Sequence, residues 1–108
     1  MHIQIVEFEL QGVGRGDYEA QCAQLAPAFA DLPGLVSKQW IIDPESNRAG
    51  GVYMWADRAA CDRYVTGPMF GAVQANPAFA NVRTRRYDLL AGPSAVTCGT
   101  TPAVPGLR

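Results

Sequence analysis

A chain of 108 residues with 48% hydrophobic and 18% charged content is one globular domain, large enough to bury a core without metal or disulfides. A net charge of −1 excludes a global field that would draw it to nucleic acid or anionic lipid, and no apolar run reaches membrane-spanning length. MHIQIVEFEL has no basic run ahead of an apolar stretch, so it reads as a strand rather than a signal peptide.

Residues 2–10 form the first predicted strand. Its apolar phase changes from Ile3 and Ile5 to Val6, Phe8 and Leu10, which predicts a bulge near Ile5–Val6. Gly12-Val13-Gly14-Arg15-Gly16 is a loop, and Asp17 is placed to cap a helix. Tyr18, Cys22, Leu25, Phe29 and Leu32 recur at helical spacing as one stripe that must face a sheet. Pro27 should kink or break that helix, and Pro33-Gly34 ends it. Two strands follow, joined by a turn at Asp43-Pro44. Asp57 caps a second helix to about Thr66, and Pro68 opens a short third one to about Ala75. Residues 79–90 read as the last strand.

The order β-α-β-β-α-β predicts an α+β, ferredoxin-like domain: a four-stranded antiparallel sheet with helices on one face, over residues 1–91. Strands separated by one helix are expected as parallel neighbours. The central strand is apolar in both phases, Val52 and Met54 against Tyr53 and Trp55, so both sheet faces must be buried. The helices cover one face; a second copy of the chain, in a homodimer, is expected on the other. Residues 92–108, rich in Gly, Pro and Thr, read as an irregular tail, disordered or draped over the partner.

Few residues offer chemistry. The glycine loop imitates a dinucleotide fingerprint, but its third glycine comes one residue early and a hairpin follows, so it reads as a plain connection. Cys22, Cys61 and Cys98 are odd in number, widely spaced and joined only by His2. That argues against zinc and disulfides and for free thiols in a reducing cytoplasm. His2, at the start of an edge-prone strand, reads as solvated, which leaves no base for a nucleophilic triad and no ready haem ligand. Glu7 and Glu9 share a strand face as surface charge. Arg83, Arg85 and Arg86 are too few for a nucleic-acid site. What remains is aromatic. If Ile42 pairs with Ala49, Trp40 lies opposite Gly51 and shares a face with Tyr53 and Trp55, with Tyr64 and Phe70 closing from above. These rings either fill a core or line a pocket.

Pro33-Gly34, Lys38, Trp40, Ala49-Gly50-Gly51, Tyr53, Trp55 and Asp57, with Arg85, Tyr87 and Asp88 further on, resemble the small YdhR-type family of monooxygenases. The resemblance covers roughly residues 2–90. It implies a dimeric α+β barrel related to oxygenases that act on polyketides without a cofactor. It further implies a small phenol, hydroquinone or polyketide-like substrate between sheet and helices, and an oxygenase reaction needing no cofactor or metal. Tyr53 and Arg85 would be the catalytic pair, stabilising the substrate phenolate and the peroxide that follows. Trp40, Trp55, Tyr64 and Phe70 would bind the planar substrate. No internal general base is evident. The alternatives on the same fold are a non-catalytic ligand-binding dimer, an isomerase or lactone-processing enzyme, and a dimerisation domain with a filled core.

Overall fold

The computed structural model describes residues 1–99 and contains β1 (His2–Leu10), α1 (Arg15–Ala30), β2 (Leu35–Asp43), β3 (Arg48–Trp55), α2 (Arg58–Val65), α3 (Pro68–Ala75), β4 (Phe79–Asp88) and α4 (Ala91–Val96). The strands form one sheet in the order β2-β3-β1-β4, and every neighbouring pair is antiparallel. This is the α+β ferredoxin-like arrangement. Strands joined through a helix are not neighbours, contrary to expectation: β3 lies between β1 and β2, and β1 between β3 and β4. A helix is about 10 Å across and strands lie about 4.8 Å apart, so each crossover spans two strand steps and leaves a slot for one strand.

Inward residues of β1 alternate without interruption from His2 through Gln4, Val6 and Phe8 to Leu10. The predicted bulge at Ile5–Val6 is therefore absent, because two polar residues, His2 and Gln4, continue the buried phase. The irregularity lies instead in the β1–β4 pairing between Glu7 and Glu9. There β4 carries the extra residue, with Asn81 at φ 54 donating its side-chain amide to Glu9 Oε2 at 2.8 Å. Gln4 is fully buried and joins three strands: Trp55 Nε1 donates to Gln4 Oε1 at 3.0 Å, and Gln4 Nε2 donates to Thr84 Oγ1 at 3.0 Å.

The hairpin register is the one on which the aromatic grouping depends, with Trp40 opposite Gly51 and Ile42 opposite Ala49. Its turn is held by Asp43, whose carboxylate accepts from Glu45 N at 3.1 Å and Ser46 Oγ at 2.8 Å. Asp57 caps α2 by accepting from Ala60 N at 2.8 Å, and Pro68 opens α3, both as expected. Helix α1 begins earlier than predicted. Gly14 is its N-cap, Asp17 lies in the first turn, and Pro27 is accommodated inside the helix. The predicted tail opens as α4; Pro93 falls in its first turn, where no intrahelical amide is required, and residues 100–108 lie outside the described residues.

Of the α1 stripe only Tyr18 and Phe29 are buried, while Leu25 is half exposed. Eleven residues of helix separate these two rings, a distance of about 16 Å. The helix thus stands on two aromatic supports and leaves a gap over the sheet between them.

The face away from the helices carries Ile3 opposite Met54 and Ile5 opposite Val52, flanked by exposed Ile41 and Tyr87. At its other end Glu7 lies 3.8 Å from both Arg48 and Arg85, and Glu9 lies 4.0 Å from Arg83. No described helix covers this face.

At Gly50 the backbone passes so close to β1 that an added Cβ would lie 1.8 Å from the Val6 carbonyl oxygen. Since neither strand can move without breaking the ladder, Gly50→Ala should cost about 3 kcal/mol, seen as a lower urea midpoint.

Candidate functional site

The gap beneath α1 is a cleft of about 50 Å³. Its sheet wall is made by Lys38 and Trp40 of the edge strand β2 and by Tyr53 of β3, with Phe29 closing it from α1. Lys38 and Tyr53 are cross-strand partners, and both point toward the helices because the hairpin register puts them in the inward phase. Lys38 Nζ lies 3.4 Å from the Phe29 ring centre, 3.4 Å from that of Trp40 and 4.7 Å from that of Tyr53. The space its stem needs comes from Gly51, where a Cβ would fall 2.8 Å from Lys38 Cε. The lysine stem, rather than the cross-strand Trp40 indole, occupies the room over Gly51.

Burial pushes the Lys38 amine down from its ordinary value to about 7, opposed only in part by the Cys22 sulfur. The ring faces favour the ammonium form, so the amine lies between two opposed influences. Tyr53 is nearly inaccessible, and its hydroxyl lies 3.1 Å from that of Tyr64. Burial first, and Tyr64 second, push the Tyr53 phenol far up; burial likewise raises Tyr64 to about 12 and raises Tyr18. These phenols stay neutral at physiological pH.

The predicted aromatics divide between two spaces. Trp40 and Tyr53 line the cleft under α1, whereas Trp55 and Tyr64 line a second, apolar cavity of about 200 Å³ closed by Leu32, Met69 and Arg63. The Tyr53–Tyr64 hydroxyl contact joins the two walls. Phe70 is buried 5.4 Å from the Tyr64 ring and lines neither space. Trp55 stacks on Tyr53 at 5.8 Å with planes 6° apart. Arg85 does not join the set: it pairs with Ile5 in register on the far face of the sheet, beside Glu7. Within one subunit the sheet stands between Arg85 and Tyr53.

Sequence reasoning missed two features. Lys38 entered only as a position of resemblance, although a lone charge in the inward phase with Trp40 and Ile42 marks a perturbed amine. His2 is not solvated. β1 is a central strand, and His2 is 3% exposed. His2 Nδ1 donates to Asp88 Oδ1 at 2.9 Å, and Nε2 accepts from Arg86 Nε at 3.2 Å. Arg86 also donates to Asp62 at 2.7 Å, and Asp88, held below the usual carboxylate range first by the His2 hydrogen bond, lies 3.4 Å from Arg58.

Fold and cleft together define a ferredoxin-like α+β domain with an aromatic space between sheet and helices. The family model described as "Putative mono-oxygenase ydhR" matches residues 3–100, and the chain belongs to that family. The match runs past the region of resemblance, through β4 and α4. No curated protein matches significantly. Among solved structures, the chain is similar to SnoaB, a cofactor-independent oxygenase from Streptomyces nogalater, at 21% identity and TM-score 0.64, covering 82% of this chain and 92% of that one. It is also similar to the haem degrader MhuD from Mycobacterium tuberculosis, solved with two haems bound, at 20% identity and TM-score 0.66, covering 83% and 96%. A protein of unknown function from Nitrosomonas europaea gives 18% identity and TM-score 0.68, covering 83% and 89%. At these identities the likeness establishes the fold. A haem held through histidine does not fit this chain: both ring nitrogens of His2, its single histidine, are engaged. Among the described residues no helix is long and apolar enough to cross a membrane.

The lowered Lys38 value has a sign that stability measurements read directly. Between about 7 and the ordinary 10.5 the unfolded chain binds one proton more than the folded chain, so stability rises with pH across that window. The wild type should therefore gain on Lys38→Met in urea midpoint from about pH 7 upward, and the difference between them should be flat below it.

Proposed function

We propose that this protein is a cofactor-independent monooxygenase that oxidises a small phenol, hydroquinone or polyketide-like aromatic in the cleft between α1 and the sheet. Membership of a monooxygenase family supplies the reaction class. The observation that carries the placement is the box of Phe29, Trp40 and Tyr53 around one amine, aromatic walls with a single charged head. The anion of such a substrate is electron-rich enough to reduce dioxygen directly. Oxygen adds at a ring carbon, one oxygen atom stays as the new carbonyl, and the other leaves as water with the hydrogens of the O–H and C–H bonds. The protein supplies orientation, exclusion of water and stabilisation of the anion. Trp40 and Tyr53 flank the substrate, while Trp55 and Tyr64 hold the Tyr53 ring in place and Phe70 backs Tyr64. A cleft of about 50 Å³ is small for such a ligand, so entry requires α1 to lift between its two aromatic supports.

The same reading makes the protein a homodimer through the uncovered sheet face, where Ile3, Ile5, Val52 and Met54 give a contiguous apolar patch at one end. Arg85 and Glu7 then belong to the rim of that interface. Light scattering at micromolar concentration should give the mass of two chains, and a stable monomer would contradict the interface.

Oxygen uptake with a hydroquinone panel, without flavin or metal, tests the reaction. The wild type should consume oxygen, and Trp40→Ala, which removes one wall, should lose activity on the order of tenfold or more. Ligand retention without uptake across the panel would sink the oxygenase and leave a binding module.

A further inference from the structure

Lys38 is the one amine on the cleft wall, and burial brings it down to about 7. From α1, Tyr18, Cys22 and the uncharged Gln21 face the space; from β3, Tyr53 does; β1, α3 and β4 contribute the apolar side chains of Val6, Phe8, Val73 and Phe79. Both phenols are held neutral by burial, and His2 is committed to Asp88 and Arg86. Among the described residues Lys38 makes no ion pair, and the one charge partner it feels is Cys22. A lysine with its head against three ring faces and no carboxylate beside it lacks a counter-anion, and the adjoining space is apolar, flat-walled and suited to an aromatic ring.

We propose that this cleft takes up a phenol and holds it as the phenolate, with Lys38 Nζ as the acceptor of the phenolic proton. The phenol O–H bond breaks and an N–H bond forms, with no other reactant. The resulting ammonium is stabilised by the ring faces of Phe29 and Trp40 and by the phenolate itself, which supplies the missing counter-anion. The inference rests on the cleft being the substrate site, as proposed above, and not on the oxygen chemistry. It supplies the base that the sequence did not disclose.

The probe is 2-naphthol, whose anion absorbs to the red of the neutral form, added to the full-length protein at about pH 8, above Lys38 and below an ordinary phenol. Wild type should produce the naphtholate band on binding, with no net proton released in calorimetry across two buffers. Lys38→Met keeps the stem and should bind neutral naphthol, with an ionised fraction on the order of tenfold lower. Lys38→Arg keeps the charge but cannot take the proton, so it should show the band with one proton released to buffer. Gly51→Ala, whose methyl group displaces Lys38 Cε, should weaken the band while the amine remains in the chain. Neutral naphthol bound to wild type, an undiminished band in Lys38→Met, or a proton released by wild type would each overturn the proposal. Absence of binding to wild type would overturn the cleft as the site. Oxygen uptake without ionisation keeps the oxygenase and removes Lys38 as base, whereas ionisation without uptake does the reverse.

Discussion

The arrangement turns on two adjacent glycines that meet two different neighbours. Gly50 lets β3 approach β1 until no Cβ would fit against the Val6 carbonyl, and Gly51 leaves the inner face open for the stem of Lys38. The first fixes the distance between the two central strands. The second decides what lies above them. A side chain at Gly51 would contest the space with Lys38 Cε and the Tyr53 ring, so the aromatic box and the amine inside it exist because one position has no side chain.

Strand phase then distributes everything else. Because alternate residues point to opposite faces, the register that puts Tyr53 and Trp55 under the helices puts Val52 and Met54 on the outer face. The inner face is filled by rings and tied across three strands by Gln4. The outer face is apolar at one end and charged at the other, and neither end is covered by the described helices. Arg85 and Tyr53 illustrate the consequence. Tyr53 lies on a central strand and Arg85 on the edge strand β4, and they face opposite ways, so no single-subunit mechanism can use them together.

How much of this was legible in the chain depends on which physical signal each feature carries. The hairpin was readable because Gly51 opposite Trp40 and Ala49 opposite Ile42 satisfy one register and a one-residue slip spoils both. Helix starts with a side-chain cap or a proline, Asp57 and Pro68, were readable for the same local reason. Helix α1 was harder: Gly14 caps it without a side chain, so Asp17, the nearer capping residue type, drew the boundary inward. The split crossovers could not be read from local pattern, since slot width is a property of helix packing on a sheet. His2 and Gln4 misled for a related reason. Polar residues in a buried phase look like a change of phase until their partners, Asp88, Arg86, Trp55 and Thr84, come in from distant parts of the chain.

Lys38 is the sharpest case of a residue whose meaning lies in its surroundings. Desolvation alone would leave the amine neutral with nothing to stabilise the ammonium once a proton arrives, and a nearby carboxylate would hold it charged and occupied. Here burial acts against the ammonium while three ring faces act for it, and no acid among the described residues settles the balance. A ligand that brings its own negative charge then has a larger effect on this amine than on an exposed lysine, because the attraction acts in a poorly screened space. The aromatic walls serve both partners, offering ring faces to the cation and a flat apolar surface to the ligand. The two uses first suggested for these aromatics, core or pocket, are therefore not exclusive: Trp55 and Phe70 are core, and Trp40, Phe29 and Tyr53 form the wall that core supports.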